Sequence, residues 1–234
     1  MENKSLIITG ADGALGRVVV EKLLAEGWRL HASVVSEKNE AKLKELFPSE
    51  IDKTIFPVLA DLSDENAVKK IVLAAKDVFG LVHIAGGYKE GKSIADYTLP
   101  DFDFLMQLNV KPTFLLLKEI VPLLKIKNGG AIVTIGAKSA IHPMKGNAVY
   151  AASKSAVVAM TLNVAEECRE FNIRANTILP DTLQTPNNLS WATEEQFKKF
   201  TPLADIADLI SFLVSEKGKG VTGMMLPMFG KKHT

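Results

Sequence analysis

The chain has 234 residues, 47% of them apolar and 24% charged, which suits one large core under a charged surface. A formal net charge of +1 gives no electrostatic drive toward nucleic acid or an anionic membrane, so neither is expected as a partner. Cys168 is the only cysteine and the four histidines show no metal-ligand spacing, so neither an internal disulfide nor a metal site is expected.

The start, MENKSLIITG, lacks a signal peptide's apolar run and cleavage site, and no run approaches the roughly 18 apolar residues of a membrane span. The expected address is a reducing cytoplasm. Lys4 to Thr9 (KSLIIT) predicts a first strand, and TGADGALG follows it directly. The glycines fall at Gly10, Gly13 and Gly16, and Arg17 to Glu26 then reads as an amphipathic helix. Strand, glycine turn, helix is the context in which such a loop holds a dinucleotide. Backbone can approach a pyrophosphate closely, and the helix N-terminus offers unpaired N–H groups. Gly27 ends that helix, and Arg29 to Val35 (RLHASVV) is the second strand. The acid that would hold adenosine ribose hydroxyls belongs at its end, but Val34 and Val35 stand there. Ser36 and Lys38 could instead face a 2′-phosphate, and Lys38 equally fits a solvated lysine at a helix start.

Glu40 to Phe47 predicts a short helix, and Thr54 to Leu59 a third strand. After Asp61-Leu62, Ser63 or Asp64 caps a helix expected to run to about Phe79, where Gly80 breaks it. Leu81 to Ala85 is the fourth strand, opening into Gly86-Gly87. Asp101 to Lys127 predicts a long helix, kinked because Pro112 leaves the Leu108 carbonyl without its partner. Asn109 lies beside that kink. Ala131 to Gly136 is the fifth strand, Ala148 to about Phe171 a helix apolar nearly all round, and Ile173 to Leu179 the sixth strand. Leu183 to Pro202 reads as an irregular loop, long enough to be a lid over a site at about 183–203. A helix over Ala204 to Ser215 and a strand over Met224 to Met228 complete a single domain, 1–234. The alternation predicts an α/β fold: a doubly wound parallel sheet of about seven strands with helices on both faces.

Tyr150 and Lys154 stand one helical turn apart, on one face. An ammonium beside a phenol lowers the phenol's pKa, and a tuned phenol can protonate an atom that is gaining a hydride. A buried Tyr and a surface Lys would show the same spacing by chance; the rest of the chain decides between them.

Along its whole length the sequence resembles the short-chain dehydrogenase/reductase family. The marks are TGADGALG, Asp61-Leu62, Asn109, YAASK at 150–154, IRANTILP with Thr185 five residues past Pro180, ADIADLISFL and VTGMMLPM. The resemblance implies a Rossmann fold binding NAD or NADP, with a lean to NADP, and a small-molecule substrate. Its catalytic residues would be Tyr150 as proton donor, Lys154 and Asn109. Its cofactor set would be Gly10, Asp12, Gly13, Ala14, Leu15, Gly16, Ser36, Asp61, Leu62, Ala85, Gly86, Gly87, Tyr150, Lys154, Pro180, Thr182 and Thr185. The family pairs its two long helices between subunits, implying a homodimer or homotetramer.

Three departures stand out. Ala14 replaces a glycine of the phosphate loop. His83-Ile84-Ala85-Gly86 replaces Asn-Asn-Ala-Gly, so the asparagine contacts are expected to be lost. Ala137 stands where the catalytic serine belongs, with Ser139 two positions off and expected to point elsewhere. Ala85-Gly86-Gly87-Tyr88, Gly-Ala-Lys at 136–138 and LPDTLQTPNN at 179–188 resemble the dihydropteridine reductase subfamily, which implies a quinonoid dihydropterin as acceptor. An ordinary carbonyl reductase, or a non-catalytic dinucleotide sensor, remains the alternative.

Overall fold

The computed structural model describes residues 4–75, 77–89 and 91–233. The chain alternates β1 (Ser5–Thr9), α1 (Ala14–Ala25), β2 (Arg29–Val34), α2 (Glu37–Leu46), β3 (Ile55–Leu59), α3 (Glu65–Ala74) and β4 (Val78–His83). Then come α4 (Leu99–Leu105), α5 (Lys111–Lys127), β5 (Gly130–Ile135), α6 (Ala148–Glu167) and β6 (Ile173–Pro180). Short helices α7 (Pro186–Leu189) and α8 (Glu194–Lys198), then α9 (Leu203–Val214) and β7 (Met225–Met228), complete it. The seven strands form one parallel sheet in the order β3-β2-β1-β4-β5-β6-β7.

Alternation along each strand feeds two cores. Leu6 and Ile8 of β1 pack with Val19 and Leu23 of α1 and Ile210 of α9, whereas Ile7 packs with Ile71 of α3 and Leu116 of α5. Strand order reverses between β1 and β4, and in such sheets ligands bind beyond the strand ends at that point. Pro57 in β3 and Pro227 in β7 sit on the two edge strands, where a residue without an N–H is tolerated. Buried Arg174 donates from its guanidinium to the carbonyls of Leu213, Ser215 and Gly218, satisfying the C-terminal end of α9.

The parallel sheet flanked by helices is as expected, but several boundaries move. Helix α3, capped by the Asp64 carboxylate accepting from the Ala67 N–H (2.7 Å), stops at Ala74 rather than Phe79. Phe79 and Gly80 belong to β4; Gly80 is there because a Cβ would lie 1.9 Å from the Ala131 carbonyl oxygen on β5. The long helix divides into α4 and α5, with a π-helical turn at Met106–Val110 that absorbs the frame lost at Pro112. The loop at 183–202 is not irregular: Thr185 and Thr193 cap α7 and α8, and Leu183 bridges to Thr201. Helix α6 ends at Glu167, followed by a 3-10 turn at Arg169–Phe171. By length and composition alone α6 could cross a bilayer, but it packs on β5 and β6 and buries Ser153, Lys154 and Thr161.

Candidate active site

The glycine loop after β1 is shaped by contact. Gly10 has φ +70°, and a Cβ there would sit 3.0 Å from the Ala85 amide nitrogen. A Cβ on Gly16 would fall 1.9 Å from the Gly10 carbonyl oxygen. Gly13 precedes α1 without a side-chain cap, so the first N–H groups of that helix face the cleft. Gly10, Asp12, Gly13, Ala14, Leu15, Gly16, Ala85, Gly86, Gly87, Tyr150, Lys154, Pro180 and Thr185 line one continuous cleft of about 350 Å³. Asp61 and Leu62 line an adjoining cavity of about 440 Å³ with Asp12, Ser33 and Val35. A bare backbone cradle at a helix N-terminus, leading to an apolar cavity, fits a dinucleotide pyrophosphate and its adenosine.

Two of the expected cofactor residues lie elsewhere. The Ser36 hydroxyl caps α2, accepting from the Asn39 N–H (3.3 Å) and donating to Asn39 Oδ1 (2.5 Å). Thr182 lines the neighbouring substrate-side cavity with Asp181 and Tyr150. Val35, where an acid was missing, is 64% exposed. Sequence reasoning overlooked the cluster behind the loop: Asp12 Oδ2 accepts from Asn39 Nδ2 (2.6 Å) and lies 3.8 Å from Lys42 Nζ. Residues 27 or more apart give no local signal for such a contact.

The residues expected to be catalytic meet at the ends of β4 and β5. Asn109, 1% exposed, is presented by the π-helical turn. Its Oδ1 accepts from the Gly87 N–H (2.9 Å), and its Nδ2 donates to the Gly87 carbonyl (3.0 Å) and to Ser153 Oγ (3.1 Å). Lys154 donates to the Ile135 carbonyl (3.0 Å), and burial lowers its pKa to about 8. Tyr150 meets Tyr88 edge-on, with ring centroids 5.0 Å apart. Its pKa does not fall as expected: burial pushes it up to about 12, and Tyr88 adds to the rise. Desolvation disfavours the charged phenolate. At neutral pH the phenol is therefore a protonated donor.

His83, at the first position of the departing motif, makes buried contacts of its own. Its Nδ1 lies 2.8 Å from Thr9 Oγ1 and its Nε2 3.0 Å from Thr113 Oγ1, while Thr113 Oγ1 donates to the Asn109 carbonyl (2.7 Å). Thr9 Oγ1 also accepts from the Ile84 and Ala85 N–H groups, 3.1 Å each. Burial, aided by the Lys154 charge, lowers the His83 pKa to about 3 and keeps it neutral.

Beyond Tyr150 a second cavity of about 580 Å³ is lined by Tyr88, Ala137, Lys138, Ser139, Asp181 and Trp191 among others. Ala137 occupies the expected serine position and lines both this cavity and the cofactor cleft. Ser139 was expected to point away, yet it borders the cavity and its buried hydroxyl has no hydrogen-bond partner.

Two outcomes follow from this geometry. Gly16→Val should abolish NAD(P)H binding by calorimetry while the circular dichroism of the sheet persists; unchanged affinity would refute the cradle. For His83, the unfolded imidazole binds a proton near pH 6.5 that the native state refuses until about 3. Its contribution is complete above about pH 6.5 and is lost as pH falls toward 3. The thermal midpoint should therefore fall between pH 6.5 and 4.5, and His83→Asn should flatten that slope; an unaltered slope would count against it.

The sequence model of the family described as short chain dehydrogenase matches residues 4–196. Levodione reductase of Leifsonia aquatica is 28% identical over 97% of this chain and 93% of its own. The 7alpha-hydroxysteroid dehydrogenase of Bacteroides fragilis is 29% identical over 98% of this chain and 94% of its own. Among solved structures, ElxO with NADP bound superposes with a TM-score of 0.90 at 23% identity, covering 97% of this chain and 98% of that one. The chain belongs to the short-chain dehydrogenase family and is an NAD(P)-dependent oxidoreductase.

Proposed function

We propose that the protein reduces an electron-poor conjugated acceptor, of which quinonoid dihydropterin is the prototype, with Tyr150 as proton donor. The observation that carries this reading is the Ala137 methyl beside Tyr150, where a second hydroxyl donor would otherwise meet a developing alkoxide. Losing one such donor costs about 10²–10³ in rate on a substrate that needs it. A conjugated acceptor needs it less, because reduction restores or extends delocalisation and charge at the reacting atom is small.

The nicotinamide, when bound, supplies the hydride. Tyr150 holds its proton toward the oxygen or nitrogen being reduced. Lys154 brings positive charge to the nicotinamide side of the cleft, close to Gly86, where a Cβ would be 3.2 Å from Nζ. Asn109 fixes Gly87, and with it the loop carrying Tyr88. The helices at 183–203 close over the cavity as a lid. Val35 stands where an acid would otherwise hold the ribose, and Lys42 lies 3.8 Å from Asp12 at that end of the cleft, so NADPH is the favoured reductant.

A second reading has its own support. The partnerless Ser139 hydroxyl could supply the missing donor, making the protein an ordinary carbonyl reductase, as the names of the levodione and hydroxysteroid enzymes suggest. Cofactor oxidation with quinonoid dihydropterin and with cyclohexanone, using NADPH and NADH in turn, separates the two. We expect turnover of the pterin, little of the ketone, near-complete loss in Tyr150→Phe and little change in Ser139→Ala. A hundredfold loss in Ser139→Ala on the ketone, with no pterin turnover, would establish the second reading instead.

Assembly is the further part of the proposal. Phe114, Leu117, Val121 and Pro122 of α5 with Met160 and Val164 of α6 line an apolar groove that the chain's own sheet does not cover. A second copy related by a two-fold axis would bury it, giving a homodimer or a dimer of dimers. Light scattering at micromolar concentration should show the dimer or tetramer, and Phe114→Glu should weaken it; a wild-type monomer would refute it.

A further inference from the structure

Two charges stand in the wall of the substrate cavity. Lys138 follows Ala137 after β5, and Asp181 follows Pro180 at the end of β6. Their Nζ and Oδ2 atoms are 3.0 Å apart, and the side chains are only 17% and 10% exposed. The Lys138 ammonium also lies 5.1 Å from the centroid of the Phe229 ring. Both residues line the cavity that Tyr150, Tyr88 and Ala137 line. Desolvating such a pair costs several kcal/mol per ion, and an apolar pair of equal volume is often as stable. Packing alone therefore gives weak reason for placing it beside the reaction centre.

The pair is neutral as a whole, and that narrows what it can recognise. A carboxylate substrate would gain Lys138 but meet Asp181, and a cation would meet the reverse. A neutral group offering an acceptor and a donor side by side satisfies both without breaking the pair. We propose that Lys138 and Asp181 form a subsite for the amide-type edge of a heterocyclic substrate. The ring C=O would accept from Lys138 and its adjoining N–H would donate to Asp181. The substrate class is thus lactams, ureides and pyrimidinones that also carry the reducible bond. This rests on the reading of a conjugated acceptor reduced at Tyr150 and adds how that acceptor is oriented. A pterin carries such an edge on its pyrimidine ring.

Isatin and N-methylisatin separate the subsite from the reaction. They share the same conjugated ketone, and methylation removes only the N–H donor. Affinity for the enzyme–NADP⁺ complex is measured by calorimetry, and turnover separately with NADPH. A hydrogen bond to a charged group implies about tenfold or more tighter binding of isatin. The double variant Lys138→Met with Asp181→Leu keeps the volume and removes both charges of the pair together; there the ratio should fall toward one. Asp181→Asn alone, which retains a side-chain acceptor, should keep part of it. Equal binding of the two compounds by the wild type would overturn the subsite, leaving the ion pair as a tie between β5 and β6. So would an unaltered preference in a folded double variant. Preferential binding without turnover of either compound would uphold the subsite while counting against the conjugated-acceptor reading.

Discussion

The site depends on one buried amide. Asn109 satisfies both backbone groups of Gly87 and donates to Ser153, joining the loop after β4 to helix α6 from a turn between α4 and α5. Three segments distant in sequence are fixed by a side chain with no access to water, where an unmade hydrogen bond costs its full desolvation. A regular helix through Pro112 would present this position differently. The π-helical turn just ahead of that proline gives Asn109 its aim, and such turns recur at functional sites for this reason.

Around that amide, low polarity sets the protonation states. Burial holds Tyr150 as a neutral phenol, brings Lys154 down to about 8 and keeps His83 neutral between two threonines. The same dryness lets a helix N-terminus and a few backbone N–H groups act on a phosphate at little distance from the reacting bond. Among the described residues lining the cavity beyond Tyr150, the charged side chains are Lys138 and Asp181, which pair with each other.

The fold was legible because its signals are local. Glycines at 10, 13 and 16 behind an apolar strand, and apolar runs alternating with helical patterns, depend on a few neighbouring residues. Gly80 was misread for the same reason: a glycine after an apolar helix resembles a stop, and its cause is the backbone of a strand some fifty residues away. Spacing and motif brought Tyr150, Lys154 and Asn109 forward, but not the upward direction of the tyrosine shift, since burial acts only once the core exists. His83 between Thr9 and Thr113, Asn39 and Lys42 behind Asp12, and the orphaned Ser139 hydroxyl all arise from long-range packing. No window of sequence contains them.

The two edge prolines carry a consequence for association. In a parallel ladder alternate residues turn their backbone groups toward the neighbouring strand, and Pro57 and Pro227 stand at the positions turned outward. Each open rim of the sheet therefore lacks a donor midway along a strand of only five or four residues. An incoming strand would find its pairing interrupted on either side, so the sheet is guarded against runaway edge-to-edge aggregation at both ends.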